Sequence, residues 1–425
     1  MKLFPDSKIY IYAPWNYHTG GPELLHQLGS CLRRLNFDAV MCYCDPNSKI
    51  DPVHAQLKKY HLPYVSESEI VDDEKNIVIL PETIYKPLDK FRNLQIVFWW
   101  LSVDNYLNIV SAIVKSVIDK REWNRLPLTM LSVMHLPNVE HWIQSEYARQ
   151  FLEFNHVPKD RIHFVGDYLV PTFLEKSKSI NLDSKLDQIV YNPKKGFELT
   201  KKLIDSAKDL KFIPIQNMNS DQVQDLLAKS KIYIDFGNHP GKDRIPREAA
   251  VSHCVVITGK RGSAGNEIDI PIPPDFKFDD SIGNDEKIIP KIIERLRTIL
   301  KNFKAEHDRQ NSYRDSIYAE PMKFIHDVAQ AVKTAPPPRK NIALHGNLKE
   351  IAILFDKLIN QSEFEILYVV SDEIKSKGIY FGDKMFPIIS TADAKFLCQE
   401  SRIDFIAGLH DESLKQFDSR YRFVI

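Results

Sequence analysis

The chain has no surplus charge of either sign, since 57 Lys and Arg are matched by 57 Asp and Glu over 425 residues. No net field draws the whole molecule to nucleic acid, so an anionic ligand has to be gripped by a local cluster. Cysteine is scarce: the five, Cys31, Cys42, Cys44, Cys254 and Cys398, are odd in number and scattered. Cys42 and Cys44 stand too close for a zinc-knuckle pair, and no second pair accompanies them. No metal site is expected; buried reduced thiols are, which suits a cytoplasmic protein. The opening "MKLFPDSKIYIYAP" has no apolar signal core, and no apolar run is long enough to span a bilayer. Together these absences predict a soluble, cytoplasmic protein, with any membrane contact peripheral and at the inner face. A full G-x-G-x-x-G is missing, as is a Walker lysine.

What is present is a globular composition, 43% hydrophobic and 11% aromatic, in a chain too long for one core. Strand-like and helix-like segments alternate almost throughout, which predicts an α/β protein with mainly parallel sheets. "KIYIYAP", "DAVMCYC", "NIVILPET" and "LQIVFWWLSVD" read as strands of a first Rossmann-like unit over residues 1–168. Residues 169–187 are poor in large apolar side chains and read as a linker. A second unit over 188–334 begins with "QIVYNPKKG" and closes with long helices. "APPPRK" at 335–340 reads as a stiff hinge, because consecutive prolines hold an extended spacer. A small Rossmann-like module follows over 341–425.

Three stretches carry candidate chemistry. In "YHTGGPELLHQL", Gly20 and Gly21 follow the first strand and open a helix with Pro22 in its first turn. Such a helix start offers unpaired N–H donors to a phosphate, although the pair equally serves a tight turn. In "YNPKKG", Lys194 and Lys195 end the second unit's first strand, where a solvated loop lysine is the ordinary case. The strongest is "DFGNHPGKDRIPREAAVSHCVVITGKRGSAG" at 235–265. Here Lys242, Asp243, Arg244, Arg247 and Glu248 crowd into seven residues at a helix start, between prolines and glycines that fix the backbone. A charged insert between two buried strands belongs at a sheet's carboxyl edge, where α/β proteins bind ligands. A first-turn glutamate suits the two hydroxyls of a ribose, and arginine suits phosphate. The turn "GKRGSAGN", with Ser263, lies at the same edge.

These units and motifs, with "WIQSEYARQFL", resemble the retaining GT-B glycosyltransferases of the glycogen-synthase-like group over about residues 8–330. The resemblance implies two Rossmann-like domains facing across a cleft, and a nucleotide-sugar donor held mainly by the second. It implies that Glu248 holds the donor ribose and that Gly20 and Gly21 lie near its phosphates. Lys195, with Lys242 or Arg244, would neutralise the diphosphate; Arg247 and Ser263 complete the expected donor site. Transfer would need neither metal nor cofactor, would follow closure of the cleft, and would serve bacterial surface polysaccharide or glycolipid synthesis. The acceptor, a saccharide or lipid-linked glycan, would meet Trp100, Ser102, Asp104 and Asn105 at the end of "FWWLSVDNY", with at least one of Trp99 and Trp100 expected in the core. His18, a candidate catalytic group, and more weakly His135 are expected cleft histidines. The group's further glutamate, eight residues before Glu248, is replaced by Pro240, which leaves Asp243 as the nearby carboxylate for a catalytic role. The 341–425 module resembles the small amino-terminal domain of bacterial sugar acyltransferases, which implies nucleotide-sugar binding or a packing role. Two other readings stay open: an isomerase like the UDP-sugar 2-epimerases, and a silent nucleotide-sugar-binding protein.

Overall fold

In the computed structural model, residues 1–44, 50–332, 340–359, 364–382, 384–399 and 403–425 are described. The chain divides into two compact units, Met1–Lys333 and Thr334–Ile425. The expected proline hinge lies outside the described residues, apart from Lys340.

The first unit holds two parallel sheets. Its first lobe is built on β1 (Lys8–Pro14), β2 (Asp38–Cys44), β3 (Tyr64–Val65), β4 (Ile77–Pro81), β5 (Gln95–Trp100), β6 (Val139–Ile143) and β7 (Ile162–Phe164). The strand order is β3-β2-β1-β4-β5-β6-β7, with every neighbouring pair parallel. Such strands bury both faces, so they read as continuous apolar runs. In β5, Val97 and Trp99 join one core with Ile9, Ile11 and Trp142, while Ile96, Phe98 and Trp100 join the other. The second lobe carries β8 (Leu186–Tyr191), β9 (Phe212–Pro214), β10 (Ser230–Asp235) and β11 (Val255–Thr258), in the order β11-β10-β8-β9 and again all parallel. The order reverses direction between β1 and β4 in the first lobe and between β8 and β10 in the second. Ligands bind doubly wound sheets at such switch points, beyond the strands' carboxyl ends.

Two boundaries differ from the sequence reading. The 169–187 stretch contains a helix, Pro171–Ser177, whose Phe173 and Leu174 are buried in the second lobe's core together with Leu169. The last helix of the unit, Asn311–Ala331, starts against that core through Tyr313 and Ile317. It ends in the first lobe's core through Phe324, Val328 and Ala331. Its apolar face changes partners around Pro321, so the segment 188–334 does not stay within one lobe.

The second unit is a six-stranded sheet of β12 (Lys340–His345), β13 (Phe364–Val370), β14 (Gly378–Phe381), β15 (Lys384–Ile389), β16 (Phe405–Gly408) and β17 (Arg422–Val424). Its order is β14-β15-β13-β12-β16-β17, parallel except for the β14–β15 pair. Asn347 caps the Leu348–Leu358 helix that follows β12, its side chain accepting the N–H groups of Lys349 and Glu350. The closing "YRFVI" is an edge strand here. Cys31, Cys42, Cys254 and Cys398 are free and buried.

Candidate functional site

A cavity of about 620 Å³ opens at the carboxyl edges of both sheets in the first unit, where each strand order reverses. From the first lobe, Gly20 and Gly21 line it at the start of the Gly20–Arg34 helix. Thr19, at that helix's N-cap, makes no side-chain capping bond, and Pro22 brings no N–H. The first-turn amides therefore point positive partial charge at the cavity. A Cβ on Gly20 would stand 3.3 Å from Cδ of Arg244, which belongs to the other lobe. Glycine here lets the arginine close on the helix end.

The opposite wall is Pro240, Gly241, Lys242, Asp243 and Arg244. The lobes touch beside it. Val103 N–H donates to Pro240 O (3.1 Å), and a Cβ on Gly241 would collide with Leu101 O. The Asp269 carboxylate accepts the N–H groups of Glu146 (2.7 Å) and Tyr147 (3.0 Å), capping the Glu146–Phe154 helix across the divide.

Most charges of the predicted site are engaged with one another. Arg247 is 1% exposed; its Nη2 lies 2.5 Å from Asp167 Oδ2 and its Nη1 2.8 Å from Glu320 Oε2. Lys242 Nζ lies 2.7 Å from Glu320 Oε1 and 3.6 Å from Asp167 Oδ1. Burial opposes the charge on Asp167, but Arg247 and Lys242 outweigh it and hold its carboxyl below the usual range. Arg247 is thus a strut between the lobes and the crossing helix, which corrects its assignment to the donor.

A second buried network runs behind the cavity wall. Lys195 donates to Asp243 Oδ2, and His239 Nδ1 lies 2.8 Å from the same oxygen. His239 Nε2 lies 3.8 Å from Asp235 Oδ1, and the Tyr233 hydroxyl donates to Asp235 Oδ2 (2.8 Å). Burial pushes the His239 pKa down, but Asp243 and Asp235 reverse this and hold it above the ordinary value. Burial likewise works against Asp243, while His239 and Lys195 keep its carboxyl below the usual range. Asp243 lines the cavity with its carboxylate already held, and Lys195 neutralises Asp243 from behind.

The remaining predicted residues divide. Ser102 lines the cavity and caps the Val103–Lys120 helix, accepting Asn105 N–H (3.1 Å); Asn105 lines it too. Asp104 accepts the Tyr147 hydroxyl (2.9 Å) and an Asn238 N–H, bridging the lobes instead of facing the cavity. Trp100 is wholly buried, its Nε1 donating to His141 Nδ1 (3.1 Å), so the acceptor role given to it is corrected. Trp99 is equally buried, on the other face of β5. Ser263 is 1% exposed and donates to Gly241 O (2.6 Å); it braces the loop and does not face a ligand. Glu248 is the fifth residue of Arg244–Val251, one turn later than expected, with Arg244 Nε 3.7 Å away. Burial raises its pKa. His18 Nε2 lies 2.8 Å from Glu23 Oε2 and its ring stacks on His54, so neither it nor the exposed His135 lines the cavity.

The structure adds residues that the sequence reading passed over. Glu82 and Thr83 follow β4 at the first lobe's switch point and line the cavity, as do Gln144 and Asp167. Glu82 is 2% exposed, its Oε2 accepting Leu101 N–H (3.0 Å), and burial pushes its pKa up to about 7. The signal was present in "NIVILPET", a carboxyl group immediately after a buried strand. Thr83 also lines a second cavity of about 890 Å³, walled by Tyr12, Trp15, Tyr43, Tyr64 and Tyr85. Among the described residues, no group of three or more His, Cys, Asp or Glu is placed to hold a metal ion, and no helix is long and apolar enough to cross a membrane.

Strand orders and cavity together define a two-lobed α/β protein of GT-B layout, with a ligand cleft between the lobes. No protein-family model matches the chain, and no curated protein does. Among solved structures, it is similar to WaaG, a glycosyltransferase involved in lipopolysaccharide biosynthesis, at 11% identity and a TM-score of 0.48, over 76% of this chain and 99% of that one. A glycosyltransferase from Rickettsia africae ESF-5 is similar at 16% identity and a TM-score of 0.46, over 76% and 98%. Anabaena Alr3699/HepE in complex with UDP-glucose is similar at 11% and 0.47, over 76% and 97%. Likeness this distant carries no argument about chemistry, which rests on the cavity itself.

Proposed function

We propose that the first unit is a glycosyltransferase that moves a sugar from a nucleotide-sugar donor to a saccharide or lipid-linked glycan. The observation that carries this reading is the single cavity shared by both switch points, with helix-start amides on one side and Lys242 and Arg244 on the other. The diphosphate would lie between those opposed donors, and charge developing on it as it leaves would be met by the helix-start amides, and by Lys242 and Arg244 once they turn from Glu320 and Glu248. Glu248 is positioned for the donor ribose only if Arg244 turns from it toward phosphate. The acceptor enters through the second cavity, where aromatic faces suit sugar rings, and meets the donor at Thr83.

Retention of configuration asks the acceptor and the departing diphosphate to share one face of the sugar, and the junction at Thr83 supports this. Lys242, Arg244 and the Gly20–Gly21 amides supply the positive potential, so transfer proceeds without a metal. A lipid-linked acceptor would bring the protein to the inner face of a membrane, and bacterial surface polysaccharide or glycolipid is the product class. The internal pairing of Lys195 and Lys242 favours one second reading, nucleotide-sugar binding without turnover.

Incubation with a panel of nucleotide sugars and glycan acceptors tests both readings. Acceptor-dependent release of nucleoside diphosphate is expected. Binding without release marks the silent protein, and an epimerised donor marks an isomerase.

A further inference from the structure

Three carboxylates line the cavity between the lobes: Glu82, Asp167 and Asp243. Two are committed to cations, Asp167 to Arg247 and Lys242, and Asp243 to Lys195 and His239. Glu82 is different. The hydrogen bond it accepts comes from a neutral donor, the Leu101 N–H, 3.0 Å from Oε2. The cavity's remaining charged groups are turned elsewhere, Lys242 to Glu320 and Arg244 to Glu248. An isolated buried carboxylate is costly, and where it persists beside a ligand cavity a hydroxyl donor from the ligand satisfies it. Glu82 also stands next to Thr83, the residue common to both cavities.

We propose that Glu82 is a specificity-determining residue for the transferred sugar, its carboxylate accepting a hydrogen bond from one sugar hydroxyl beside Thr83, which lines both cavities. This rests on the transferase reading above. A charge-assisted bond from a hydroxyl to a desolvated carboxylate discriminates strongly, because a donor lacking that hydroxyl leaves the buried charge unpaired. Holding Leu101 N–H alone would not need a carboxylate, since an amide oxygen accepts that bond equally well.

The test compares the wild-type protein with Glu82→Gln on the best donor and on a series of its single-deoxy analogues, with nucleoside diphosphate affinity measured separately. The wild type is expected to lose about 100-fold in kcat/KM on one deoxy donor. Glu82→Gln is expected to lose about as much on the parent donor, to show no further penalty on that analogue, and to bind nucleoside diphosphate unchanged. With burial holding the carboxyl near 7, the wild-type rate rises through that pH and the variant lacks that limb. If Glu82→Gln does not fold by thermal melting, Glu82→Asp, which keeps the charge but withdraws it by one methylene, is expected to show the same change in the deoxy pattern. A variant with wild-type kcat/KM, or with every deoxy penalty intact, overturns this inference alone. A wild-type protein that turns over no donor overturns the transferase reading and this inference with it.

Discussion

The two walls of the cleft solve the same problem with different chemistry. The first lobe presents backbone amides at Gly20 and Gly21 and a neutral set around Glu82, backed by the aromatic packing of Trp100, Phe98 and Tyr106. The second lobe presents Lys242, Asp243 and Arg244, backed by ion pairs that reach Asp167 and Glu320. One wall is shaped by packing and the other by charge. The difference teaches where each is vulnerable: the first to lost volume and, at Glu82 alone, to pH, the second to pH across its ion pairs and to an orphaned partner.

The largest effects are expected from one deletion on each side. Arg247→Leu strands Asp167 and Glu320 without their buried cation and should destabilise the first unit by about 3–5 kcal/mol in urea unfolding. A loss under about 1 kcal/mol would show that the network is better hydrated than its burial indicates. Trp100→Ala should cost about 3–5 kcal/mol through the cavity it leaves. In the fraction that stays folded, acceptor affinity should be unchanged; a selective loss of acceptor binding would restore the tryptophan to the site.

A smaller effect separates the walls by pH. His239 has a raised folded pKa, so its contribution is fully present below the unfolded imidazole value of about 6.5 and is lost as pH rises through the folded value. Asp243 has a lowered one, so its contribution is present above the unfolded value of about 3.9 and is lost as pH falls through the folded value. Stability measured from pH 5 to 9 should therefore decline as pH rises in the wild type and decline less in His239→Asn, the remainder coming from Glu82, whose raised carboxyl also costs stability up to about pH 7. Trp100→Ala should lower the whole curve evenly. A His239→Asn profile parallel to wild type would break the distinction.

The same contrast governs what was legible in the sequence. Both sheets were readable, because parallel strands buried on two faces leave continuous apolar runs such as "QIVFWW" and "KIYID". The helix start at Gly20 was readable from its glycines and proline, whereas the one at Arg244 was placed three residues late. Contacts distant in sequence were not: Arg247 finds its partners 80 residues back, at Asp167, and 73 residues on, at Glu320. A charged residue near a helix start looks alike whether it meets a phosphate or another helix. Trp100 was misplaced because adjacent strand residues face opposite ways, and with both faces covered neither reaches the cleft. Glu248 was placed a turn early because the helix begins at Arg244, not just before Arg247. Glu82 carried a readable cue, a carboxyl at a strand's end, whose meaning depended on a strand order that local pattern does not reveal.

The most direct measurement is a crystal structure with a nucleoside diphosphate bound. The account predicts its phosphates between the amides of Gly20 and Gly21 and the side chain of Arg244, at hydrogen-bond distance from both lobes. A diphosphate bound elsewhere on the molecule, with that gap holding only solvent, would contradict it.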